Sequence, residues 1–129
     1  MKPLHWVGST LDDVKEFPEE VRSEVGFSLY LAQLGEKALN AVPMVGFGSS
    51  KVLEVVIDDS GNTYRSIYTV KFPKAVYAIH AFQKKSRRGT ATPQPDLRLI
   101  RTRLRAAEQH YRDTYEKITR KERGRERGT

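Results

Sequence analysis

Cysteine is absent from this 129-residue chain. That rules out a disulfide framework, a thiol nucleophile and any metal site built on thiolates. Histidine is scarce, and His5, His80 and His110 stand far apart with no ligand spacing, so neither a metal nor another cofactor is expected. No apolar run approaches the ~20 residues of a membrane span, and the N-terminus lacks the unbroken apolar core of a secretion signal. A cytoplasmic location and no membrane partner are expected. No internal repeat is visible, which sets solenoid architectures aside.

What is present is an ordinary globular balance, 38% apolar and 30% charged residues, in a length suited to one domain with a modest core. The net charge of +7 is unevenly placed. Residues 1–62 hold five Lys or Arg against ten Asp or Glu, whereas residues 63–129 hold eighteen against six. Such an asymmetry points to one anion-binding region rather than to solubility in general.

The patterning gives an α+β order. "KPLHWVG" reads as a short strand ending at Gly8, followed by a helix that Ser9 or Thr10 would cap, with Asp12 and Asp13 in its positive first turn. After Pro18, apolar residues at 21, 25, 29 and 32 recur at helical spacing as far as Gly35. "NAVPMVGFGSS" reads as a loop. Strands are expected over 51–57, 63–72 and 75–85, joined by tight turns at "DDSGN" and "PK". The expected sheet is therefore small and antiparallel, the N-terminal strand plus a three-stranded meander. One face would pack on helices and the other would form a partly apolar, partly cationic concavity. A last helix begins near Pro95 or Asp96 and carries the stripe Leu97, Ile100, Leu104, Ala107 and Tyr111. The domain spans 1–117, and 118–129 is a charged tail expected to be disordered.

Two linked motifs go further. A hairpin "G-x-x-Y-R-x-x-Y" (Gly61, Tyr64, Arg65, Tyr68) follows a strand containing "LE", and "H-x-F-x-K-K" (His80, Phe82, Lys84, Lys85) comes after it. In this order, over roughly residues 44–107, they resemble the RelE/HigB-type toxins, particularly the phage-derived HigB-like branch. The resemblance implies a RelE-like fold and the toxin of a toxin–antitoxin system. Its activity would be that of a ribosome-dependent mRNA endonuclease, or mRNA interferase, that inhibits translation. In that chemistry the RNA's own 2′-hydroxyl attacks the adjacent phosphate without a metal. Implied partners are mRNA, the ribosome and a helix-turn-helix antitoxin, with operator DNA bound only through the antitoxin.

Such a reaction needs a proton acceptor, cations for the extra charge on phosphorus, and a donor to the leaving oxygen. Arg65 is costly to bury unpaired. It either bridges an acidic helix residue such as Glu20 or Glu24, or grips phosphate through its bidentate guanidinium. Lys84 and Lys85 point to opposite faces of a regular strand, so one of them faces the concavity. His80 is a proton carrier or a packed strand histidine. Tyr68 is a stacking or proton-donating group or a core residue, and its parity is opposite to that of Arg65 unless a bulge intervenes. Arg87 and Arg88, with Lys51 at the start of the meander, are candidate RNA contacts.

Two departures from the family pattern stand out. Many relatives carry an arginine just after "LE", whereas Val55 and Val56 follow Glu54 here, and "RRGTATPQP" is a longer link to the last helix. Arg87 or Arg88 could fill the missing cation's place. The rival expectation is a non-catalytic RNA- or ribosome-binding protein of the same fold.

Overall fold

The computed structural model describes residues 1–48, 51–84 and 91–116. Lys85, Arg87, Arg88 and the tail lie outside the described residues. In chain order the elements are β1 (Leu4–Trp6), α1 (Thr10–Lys15), α2 (Glu19–Gln33), β2 (Ala41–Pro43), β3 (Val52–Asp59), β4 (Asn62–Thr69), β5 (Val76–Lys84) and α3 (Gln94–Tyr111), followed by a π-helical segment, Arg112–Glu116. The fold is α+β, as the patterning indicates, and the three-stranded meander forms where the sequence places it.

The strands form one sheet in the order β1-β5-β4-β3-β2. Two features differ from expectation. β1 pairs with β5 in parallel, so the sheet is mixed. In addition, residues 41–43, read as loop, add an edge strand antiparallel to β3. Both edges are only three residues long, and Pro43 blunts one of them against further pairing. At the β3–β4 turn Ser60 and Gly61 have φ of 50° and 84°, the left-handed pair that a two-residue hairpin requires. That turn sets Asp59 opposite Asn62 and, further along, Val56 opposite Arg65.

Neither face of the sheet is an open concavity. Leu53, Val55, Ile57, Tyr64, Tyr68, Val76, Ala78 and Ala81 pack against Val14, Phe17, Val21, Val25 and Leu29 of the α1–α2 layer. Val52, Ile67, Tyr77 and Ile79 pack against Ile100, Ala107 and Tyr111 of α3, so the stripe read in the sequence does cover the other face. The sheet is a filling between two helical layers.

Arg103 ties α3 to the start of the chain. Its Nη1 lies 3.1 Å from Ile79 O, 3.2 Å from His80 Nδ1 and 3.3 Å from Thr10 Oγ1, and its Nη2 donates to Ser9 Oγ at 3.0 Å. Gly8 makes room for it: φ is +57°, and a Cβ there would lie 2.8 Å from Arg103 Nε. Ser9 does occupy the N-cap of α1, but its hydroxyl donates to Asp13 Oδ2 at 2.8 Å rather than capping the backbone. At the far end His5 and His110 meet, with ring centroids 4.7 Å apart. His5 bonds Tyr115 at 2.7 Å and His110 bonds Tyr77 at 2.6 Å. Burial and the neighbouring His110 lower the pKa of His5. Among the described residues, no helix is long and apolar enough to cross a membrane.

Candidate functional site

The hairpin register builds the site. Arg65 on β4 pairs with Val56 on one side and Phe82 on the other, and Lys84 pairs with Thr63. Glu54 lies two residues before Val56, on the same face, within diagonal reach of Arg65. The two join in an ion pair: Arg65 Nη1 is 3.2 Å from Glu54 Oε2, and the side chains are 7% and 13% exposed. The alternative in which Arg65 bridges Glu20 or Glu24 is corrected, because α2 covers the opposite face of the sheet. The carboxylate comes from the neighbouring strand instead.

A bulge places the other half. The β4–β5 register steps between Ile67 and Tyr68, so that Ile67 pairs with His80 and Tyr68 with Ala78. The extra residue on β5, Ile79, turns the rest of the strand over. Val76 and Ala78 face α2, while His80, Phe82 and Lys84 share the α3 face with Arg65. Lys84 is 4% exposed. Burial lowers its pKa first and the nearby Arg65 lowers it further, while Glu54 acts in the opposite sense.

The segment entering α3 lies across this cluster. Lys84 Nζ donates to Ala91 O at 2.9 Å, and Arg65 Nη1 donates to Thr92 Oγ1 at 3.2 Å. Beside it runs a cleft of about 450 Å³ lined by Met44, Val45, Glu54, Thr92 and Leu97 among others. The arrangement is two cations from adjacent strands, one carboxylate and an adjoining apolar cleft, which suits an anionic ligand bearing an apolar ring.

The remaining candidates go elsewhere. Tyr68 is fully buried on the α2 side of the sheet, so the bulge does not bring it to Arg65. Its hydroxyl is buried with no hydrogen-bond partner among the described residues, and burial pushes its pKa up to about 12. A proton-donating or base-stacking role is not supported by that position. His80 does lie on the α3 face, but both ring nitrogens are engaged. Arg103 can only donate, so His80 Nδ1 accepts, and the ring hydrogen sits on Nε2, 2.8 Å from Asp96 Oδ1. His80 therefore fits the packed, hydrogen-bonded alternative, stacked on Phe82. Lys51 lines a separate cleft with Lys2, Lys37 and Leu53 on the α2 side, away from Arg65.

Three groups escaped the sequence reading. Glu54 served there only as a motif marker, although counting back from the Asp59–Asn62 turn puts it beside Arg65. Thr92 gave no signal. Arg98, Arg101 and Arg105 form an exposed basic side of α3, with the Arg101 guanidinium 4.8 Å over the Phe47 ring.

Comparison with known proteins gives one positive finding. The model of the phage-derived protein Gp49-like family (DUF891) matches residues 12–105. The chain belongs to this family. The matched span runs from α1 into α3 and takes in Glu54, Arg65, Lys84 and Thr92. Neither a curated protein nor a solved structure matches the chain significantly.

Proposed function

We propose that this protein is the toxin of a toxin–antitoxin pair and cleaves messenger RNA on the ribosome, with Arg65, Lys84 and Glu54 as its reacting groups. The observation that carries the reading is the convergence of two buried cations from adjacent strands beside one carboxylate. Membership of the Gp49-like family, a RelE/toxin-like family, supports it, as does the basic side of α3.

In this mechanism Glu54 accepts the proton of the 2′-hydroxyl, and O2′ attacks the adjacent phosphorus. Arg65 binds the non-bridging oxygens bidentately as charge builds on them. The P–O5′ bond breaks, and the leaving oxygen takes a proton from Lys84, whose ammonium is made more acidic by burial and by Arg65. The products are a 2′,3′-cyclic phosphate and a 5′-hydroxyl. Solvent returns the proton from Glu54 to Lys84. The phosphate oxygens take the places that Ala91 O and Thr92 Oγ1 now fill. A base flanking the scissile bond lies in the cleft beside Glu54. The partner in the cell is a helix-turn-helix antitoxin, and operator DNA is reached only through it.

One observation favours a second reading, a non-catalytic RNA- or ribosome-binding module. Val56 stands directly opposite Arg65, and Val55 and Val56 follow the "LE" just after which the RelE/HigB-like pattern has an arginine. Expression in a bacterial host with mapping of mRNA 5′ ends separates the two. New 5′-hydroxyl ends inside reading frames, absent with R65K/K84Q, support the nuclease. Ribosome co-sedimentation without new ends supports the module, and V56R is then the variant to restore cleavage.

A further inference from the structure

α2 carries two apolar stripes rather than one. Val21, Val25, Leu29 and Ala32 are buried against the sheet. On the opposite side Phe27, Tyr30 and Leu34 are 55%, 49% and 45% exposed, and Leu39, just past the helix, is fully exposed. A helix covered on one side only keeps polar residues on the other. Large side chains at i, i+3 and i+7 on a water-facing stripe match the anchor spacing of helix-in-groove recognition. A groove of about 390 Å³ runs alongside, walled by Phe27, Leu31 and Leu39, with Glu24 and Lys37 also lining it.

The charge around this face selects its occupant. At the start of α2, exposed Glu19, Glu20 and Glu24 outnumber Arg22, so this end of the rim is net acidic on a chain of net charge +7, while Lys2 and Lys74 lie beside Leu34 at the other end. RNA is repelled by such a rim. A second copy pairing through the same face would bring the same acidic sign against it. We propose that the outer face of α2 docks a basic amphipathic helix of a partner protein, with apolar anchors over Phe27, Tyr30 and Leu34 and cations toward Glu20 and Glu24. The face lies on the other side of the sheet from Arg65, and the proposal does not depend on the nuclease reading.

The test uses the full chain and two fluorescein-labelled probe peptides of identical leucine spacing, one leucine–lysine and one leucine–glutamate, read by anisotropy. The leucine–lysine peptide binds, and the F27S/L34S variant weakens it at least tenfold. E20K/E24K weakens it and strengthens the leucine–glutamate peptide. Both variants change exposed side chains only, and circular dichroism checks that they remain folded. Equal affinity of wild type and F27S/L34S for the lysine peptide overturns the proposal. So does a concentration-dependent dimer in sedimentation that F27S/L34S abolishes, which assigns the face to a second copy.

Discussion

Replacing Arg65 by methionine leaves the Glu54 carboxylate in a nearly closed site without its cation. The pair is 3.2 Å apart with side chains 7% and 13% exposed, so solvent screens it little. At an effective dielectric near 20 two charges at that separation attract by about 5 kcal/mol, and desolvation offsets much of this. Breaking such a pair from one side costs about 3–5 kcal/mol, because the remaining charge stays buried. E54L should cost a similar amount by stranding the guanidinium. The double variant E54L/R65M removes both charges together and should lose far less than the sum of the singles. The expected coupling is about 3 kcal/mol or more, at the upper end for contacting residues, measured by urea denaturation of the four proteins. The double variant also separates stability from chemistry, since it should fold well and cleave nothing. A coupling below about 0.3 kcal/mol would refute the reasoning and mean that water reaches the pair freely.

The other expectations concern Lys84, Tyr68, His80 and two glycines. Burial and Arg65 lower the pKa of Lys84, so its charge is lost on raising pH before the ordinary 10.5 of lysine. RNA cleavage should therefore fall along a basic limb below pH 10.5, and K84R should move that limb upward; an unmoved limb would remove Lys84 from the reaction. The unfolded chain holds this proton more tightly, so the same shift makes stability rise with pH between the lowered value and 10.5. Tyr68→Phe removes a buried hydroxyl that has no hydrogen-bond partner among the described residues and should leave stability unchanged or raise it by up to about 1–3 kcal/mol. H80N should instead lower the melting temperature by disturbing Arg103 and Asp96, and cleavage per folded molecule should survive both changes. Gly8→Ala forces φ of +57° on an alanine and sets its Cβ 2.8 Å from Arg103 Nε, whereas Gly35, at φ +83°, has open space around it. Both should lose about 1–2 kcal/mol of backbone conformation, and G8A should lose more in parallel thermal melts.

Much of this architecture was legible because local chemistry decides it. "DDSGN" specifies the turn, the turn specifies the register, and the register puts Glu54, Val56 and Arg65 together. The α3 stripe was equally readable, since Ile100, Ala107 and Tyr111 fall on one side of a helix. What stayed hidden depends on long-range pairing. β2 is three residues with a proline, too short to stand out from a loop, and exists only because β3 offers an edge. The parallel pairing of β1 joins residues over 70 positions apart. The bulge at Ile79 has no local signature, yet it moves His80 and Lys84 to the face of Arg65. His5 and His110 looked unrelated by spacing and meet through that same long-range packing. Covering both faces of the sheet also leaves Tyr68 buried on the α2 side and Lys51 beside a separate cleft, apart from the Arg65–Lys84 end.

The most direct test of the account is single-turnover cleavage of a defined mRNA on programmed ribosomes by the purified chain, with chemical analysis of both new ends. The account predicts a 2′,3′-cyclic phosphate on one fragment and a 5′-hydroxyl on the other, with the rate lost in the folded E54L/R65M protein. Intact mRNA on ribosomes that demonstrably hold the wild-type protein, or equal cleavage by E54L/R65M, would contradict it.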